Sequence, residues 1–278
     1  MAAAVAALAA AAAAVLLVAT AGAQAHDPAK YPDLKGQWIR IGGNQWDPAK
    51  PMGRAQQPPL TEEYRAIFEA SLADQAAGGQ GNESTHLCLP PGMPRTMVVI
   101  FPMEIIVLPE TTYIMVSYFN EFRRVYTDGR GWPEKMEPSF LGYSIGQWID
   151  EDGDGRYDVL AVETRNMRGP RSFEPSGMPL HKDNSTVVKE RIYLDKSNPD
   201  VLRDDITTID NALTRPWTIT RSYRRERNPV WVESVCAEDN HHVVIGKENY
   251  FISGDGYLMP AKKDQKPPDL RYFKQSAK

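Results

Sequence analysis

YSIGQWI (residues 143–149), YDVLAVET (157–164), TVVKERIYL (186–194), LRDDITTI (202–209) and WTITRSY (217–223) follow one another with turn-forming residues between them. Each run is rich in Val, Ile, Thr, Tyr and Trp, and each alternates apolar with polar positions. That is the pattern of a pleated, half-buried surface, not of a helix. Similar runs occur at 97–101, 103–108, 112–119, 122–126, 230–235 and 242–245. No long helical pattern separates them, so a parallel sheet built from βαβ units is not expected. The expectation is a mainly β fold: an antiparallel meander closed into a lipocalin-like barrel or folded into a sandwich.

One helix is expected to flank it, at about residues 61–77. Pro58 and Pro59 precede Thr61, a good N-cap, and Glu62 and Glu63 fall where the helix dipole favours anions. Tyr64, Ile67, Phe68 and Leu72 follow at helical spacing, and Gly78-Gly79 stop the helix.

The chain has 278 residues, 42% hydrophobic and 24% charged, with a formal charge of −4. This excludes a disordered chain, a collagen and a coiled coil, and it gives no basic footprint for nucleic acid. Residues 1–25 are almost wholly Ala, Val and Leu and end in Ala23-Gln24-Ala25, which fits a signal peptide cleaved after Ala25. No Lys or Arg precedes the apolar stretch, and a membrane anchor is the alternative. Cleavage would leave residues 26–278 as one β-rich domain with an extended N-terminal segment, periplasmic or secreted and with no stable membrane span. In an oxidising compartment Cys88 and Cys236 are the natural disulfide pair, the alternative being two buried thiols. The sequence does not specify an oligomeric state.

Asp150, Asp152, Asp154 and Asp158 occupy positions 1, 3, 5 and 9 of a loop with Gly155 at position 6. Alternate carboxylates on a tight turn converge on a hard cation, so this is a candidate structural calcium loop. Position 12 is Ala161 in place of a bidentate Glu, and the alternative is a solvated acidic turn. Cleavage after Ala25 would also expose His26, whose amine and imidazole could chelate copper with one of His86, His181, His241 or His242. No Gly-x-Ser-x-Gly elbow, phosphate loop, dinucleotide fingerprint or His-Glu-x-x-His is present.

Charged residues nevertheless interrupt the apolar runs. Glu163, Glu190 and Arg215 are expected to converge on one interior cavity, with Trp217 as an apolar wall and His181 at its rim. Arg191 and Asp210 are further ligand contacts, and Glu190 is the candidate general base, because burial raises a carboxyl pKa. The leading expectation is a barrel that binds a small, partly apolar molecule. The alternatives are a hydrolase or lyase with a carboxylate–Arg site, and a structural envelope protein.

An ordered series of motifs runs through the second half of the chain. It begins with Tyr126-Thr127-Asp128-Gly129-Arg130 and Pro133, then Gly142-Tyr143-Ser144-Ile145-Gly146-Gln147-Trp148 and Asp158-Val159-Leu160-Ala161-Val162-Glu163-Thr164. Val187-Val188-Lys189-Glu190-Arg191, Arg215-Pro216-Trp217-Thr218 and Cys236-Ala237-Glu238-Asp239-Asn240 complete it. In this series the chain resembles a broad group of exported, β-rich bacterial proteins of unknown function. Shorter members turn after the Trp with a Glu-Gly-Asp-like step, where this chain has its Asp-rich loop. The resemblance implies export and a β-rich fold, makes calcium a subgroup feature, and transfers no catalytic residue.

Overall fold

The computed structural model describes residues 27–42, 57–236 and 241–268. Nine strands close into a barrel in chain order. They are β1 (Gln37–Ile41), β2 (Met103–Val107), β3 (Thr111–Val116), β4 (Glu121–Tyr126), β5 (Tyr143–Ile149), β6 (Val159–Arg165), β7 (Val187–Asp195), β8 (Asn198–Ile209) and β9 (Trp217–Glu226). β9 returns to β1 through five antiparallel residue pairs, from Gln37↔Glu226 to Ile41↔Ser222.

The fold is therefore the mainly β barrel that the alternation predicts, with one departure from an antiparallel meander. β4 and β5 are parallel and meet only at Val125↔Ser144 and Tyr126↔Ile145. Residues 127–142 carry the chain back so that β5 starts in the same direction as β4. Gly146 makes the seam possible. A Cβ there would lie 2.6 Å from Cγ1 of Val125, too close for any other residue without movement.

Buried side chains line the interior. Trp38, Ile114, Leu160, Val188, Ile192, Leu202 and Ile206 are all at most 2% exposed. Residues 84–99 and 167–186 add Met93, Met97, Met167, Phe173 and Met178 to the same core. The helix α1 (Glu62–Ala76) begins at Thr61, whose side chain accepts the Tyr64 N–H, and it buries Tyr64, Phe68 and Ser71. Gly78 follows its end with φ +91°, the left-handed step that glycine tolerates.

Two expected strands are absent. Met97 ends a short 3-10 turn (Arg95–Met97) and residues 98–101 after it form no strand, nor do residues 230–235. β9 is already paired on both sides, so the closed barrel leaves no edge for the latter to join. In their place a small antiparallel sheet forms from β10 (His242–Ile245), β11 (Glu248–Ile252) and β12 (Leu258–Pro260). The tail beyond Pro260 folds back on α1, where Lys262 Nζ lies 3.0 Å from Asp74.

Cys88 and Cys236 form the expected disulfide, with their Cα atoms 5.5 Å apart. Closing a loop of 148 residues removes unfolded-chain entropy worth about 4–5 kcal/mol in the chain-entropy picture. The expected signal segment and His26 lie outside the described residues. Among the described residues no helix is long and apolar enough to cross a membrane.

Candidate functional site

The alternation of β4 turns Arg123 inward with Val125 and sends Phe122 and Arg124 outward. Arg123 is 1% exposed, so its charge needs a partner. Its Nη1 donates to Glu190 Oε1 at 2.8 Å, and its Nη2 donates to Glu190 Oε2 and, at 2.8 Å, to Thr164 Oγ1. Nε donates to Ser144 Oγ at 3.2 Å. Four strands thus supply one closed fork, a buried charge-assisted pair of the strong kind.

Asp204 completes the interior group from β8. It faces Arg221 across the β8–β9 ladder, and neither of its carboxyl oxygens accepts a hydrogen bond. Complete burial, and then the neighbouring Glu190 charge, push its pKa well above the usual carboxylate range against the pull of Arg123. Glu121 is pushed up to about 7 by burial, although Thr96 and the Gly92 N–H bond to it. Glu174 is raised for the same first reason.

The expected convergence of Glu163, Glu190 and Arg215 is not formed. Glu190 is interior, but Glu163 faces outward, paired with Arg165 and, at 3.4 Å, with Lys189. Arg215 is exposed in the β8–β9 turn. Trp217 is a core residue packed on Phe173 at 4.9 Å, not a cavity wall. His181 sits in a loop against Tyr64, and its N–H donates to Asp210 at 2.9 Å. Asp210 also accepts from Thr186 and from the Ala212 N–H, so it clamps that loop. Arg191 points outward to Glu151 at 2.5 Å.

A large groove lies on the outside of the barrel. Its volume is about 1300 Å³, and it runs over the outward faces of β5–β9. Gln147, Ala161, Lys189, Asp205, Thr207 and Thr218 line it from five adjacent strands. The outside of a barrel is convex, so the walls come from loops. On one side residues 127–142 bring Trp132, with the Arg165 guanidinium 4.5 Å from its ring. On the other, Tyr31 packs edge-on against Trp148 at 5.3 Å and against Tyr157 at 5.1 Å. A 2.7 Å bond from the Tyr157 N–H to the Lys30 carbonyl fixes that wall. Of the expected site residues, Glu163 and Arg191 line this groove with their side chains, whereas Glu190 borders it while its carboxyl group points into the barrel.

In the Asp-rich loop, carboxyl oxygens of Asp150, Asp152 and Asp158 lie within 4.8 Å of one another. Asp154, the fourth expected ligand, falls outside that group and accepts the Arg156 N–H at 2.8 Å. Asp150 also accepts the N–H groups of Gly153 and Gly155. For the copper expectation, the rings of His86 and His242 approach to 5.4 Å.

The sequence reading missed Arg123, Asp204, Trp132 and Asp205. The first two had a signal: Arg123 shares the parity of Val125, and Asp204 that of Leu202 and Ile206. No protein-family model matches the chain, and no curated protein is significantly similar to it. What the groove can do rests on its own residues.

Proposed function

We propose that the protein is a small-molecule-binding barrel whose ligand lies in the external groove, not in the barrel interior. The observation that carries this reading is an aromatic-walled groove over β5–β9, beside an interior lined by buried side chains whose central ion pair is closed on itself. The groove has the mixture of aromatic surface and a few placed polar groups that ligand clefts use. The motifs that carry the resemblance to exported proteins also meet there: Thr127, Gly129, Arg130, Gln147, Glu163, Lys189 and Thr218 all line it. The hydrolase or lyase reading loses its base, because Arg123 occupies both oxygens of a fully buried Glu190. The Cys88–Cys236 bond and the Ala-rich first 25 residues support a place of work outside the cytoplasm.

Ala161 lies on the groove floor and its side chain points away from the core, so Ala161→Trp obstructs the middle of the groove and leaves the interior alone. Native mass spectrometry of protein purified from its own cells is expected to show a bound small molecule that Ala161→Trp lacks. Identical spectra for the two proteins would contradict the proposal.

A structural calcium ion is a second and separate reading, favoured by the approach of Asp150, Asp152 and Asp158. A ligand that binds only the folded state raises its melting temperature. Millimolar calcium is expected to raise Tm by a few degrees, and Asp150→Asn to cancel the rise. Calorimetry without binding heat at that concentration would remove the ion from the account.

A further inference from the structure

Resting on the reading of the groove as a binding site, we propose that its ligand is a neutral, polyhydroxylated chain, an oligosaccharide. The first argument is charge. Every charged side chain that lines the groove already has a partner: Glu163 holds Arg165 and Lys189, Arg191 holds Glu151, and Arg130 holds Asp128. Asp205 accepts from the Tyr193 hydroxyl at 3.1 Å and from Thr220 at 2.5 Å. Arg130, Arg165, Lys189 and Arg191 are balanced by Asp128, Glu151, Glu163 and Asp205, so the groove offers an anionic ligand such as a nucleotide no net attraction. A hydroxyl needs no net charge, because it can bond the lone pairs that a paired carboxylate keeps and the N–H donors that a paired guanidinium keeps.

The second argument is the floor. Thr207 and Thr218 bond to each other at 2.7 Å, and either oxygen can be the donor. Such a pair can turn to donate to or accept from a hydroxyl, which likewise does both. With Gln147, Lys189 and Asp205 beside it, the floor is too polar for an acyl chain, which would leave these groups desolvated and unpaired.

The walls and the size complete the case. Trp132 stands at one side, and Tyr31 and Tyr157 at the other. A pyranose ring is polar around its edge and carries C–H groups on its faces, which suit the negative face of an aromatic ring. At about 1300 Å³ the groove exceeds the roughly 300–1,000 Å³ of clefts for single small ligands, so it suits several linked units.

The test is a printed array of neutral and acidic glycans probed with the labelled full chain, with titration calorimetry on the strongest glycan. Neutral oligosaccharides are expected to bind, with affinity about tenfold weaker in Trp132→Ala and largely kept in Trp132→Phe, which retains a ring. Thr207→Val, similar in shape but without the hydroxyl, is expected to weaken binding while its Tm stays near that of the parent. Binding confined to acidic glycans would overturn the proposal, as would neutral binding unchanged in Trp132→Ala and Thr207→Val. Laurate and adenosine monophosphate separate the two levels of the account. If no glycan binds but either of these shifts the groove amide resonances, the ligand class is wrong and the groove reading stands. If no glycan binds and neither shifts them, both are wrong.

Discussion

Arg123→Met is expected to cost the fold about 3–5 kcal/mol, the loss typical when one partner of a buried ion pair is removed. The substitution keeps a long apolar stem of similar length but strips both oxygens of Glu190 of their donors in a site with almost no solvent exposure. Ser144 and Thr164 then retain their own mutual bond at 2.8 Å, but neither replaces the guanidinium. The check is the denaturant midpoint at an unchanged m-value, which isolates a change in stability. Arg123→Met with Glu190→Leu is expected to recover most of the loss, because replacing both members of such a pair by apolar groups is close to neutral. A single-variant loss below about 1 kcal/mol would show that the pair is not the centre of the barrel's polar core.

Asp204→Asn is expected to have an effect that depends on pH, small near about pH 4 and growing steadily above it. Burial raises Asp204, Glu174 and Glu121 in the folded protein, the last to about 7. Unfolding returns each to the ordinary carboxylate value near 4. The folded state therefore holds more protons between these limits. The stabilisation from this is complete below the unfolded value and is lost as pH rises through the folded one. For each such group the loss approaches about 1.4 kcal/mol per pH unit.

Carboxylates held low by hydrogen bonds act in a different window. Asp183, kept at about 2 first by the Ser185 N–H, loses its contribution only in stronger acid. An asparagine at 204 has no proton to lose, so the variant escapes its share of the alkaline loss. Denaturant midpoints for both proteins across about pH 4 to 8 decide the matter. A constant difference between the two curves would mean that Asp204 is ionised and paired.

The barrel itself was legible because alternation in residues 143–223 is strong and turn residues bound each run. The parallel β4–β5 seam was not, since nothing in residues 127–142 announces that the chain doubles back. Residues 230–235 read as a strand because they are β-prone. Barrel closure, a tertiary fact, left them no partner.

The site was lost by a period error. Taking Glu163 as interior because it interrupts an apolar run ignores that adjacent residues of a strand face opposite sides. Its same-face neighbours are Ala161 and Arg165, which places it outside, whereas Glu190 stands between Val188 and Ile192 and goes inside. Applied consistently, that period also turns Arg123 and Asp204 inward. The groove was beyond reach from sequence, because its walls depend on where two loops pass over the sheet.

The most direct measurement maps a small-molecule fragment library onto the side-chain methyl resonances of the folded protein. The outward methyls of Ile145, Ala161, Thr207 and Thr218 line the groove, and those of Ile114, Val188, Ile206 and Ile219 line the interior. Binding in the groove is expected to shift the first set and leave the second unmoved. Shifts concentrated on Ile114, Val188, Ile206 and Ile219 would place the ligand inside the barrel and contradict the account.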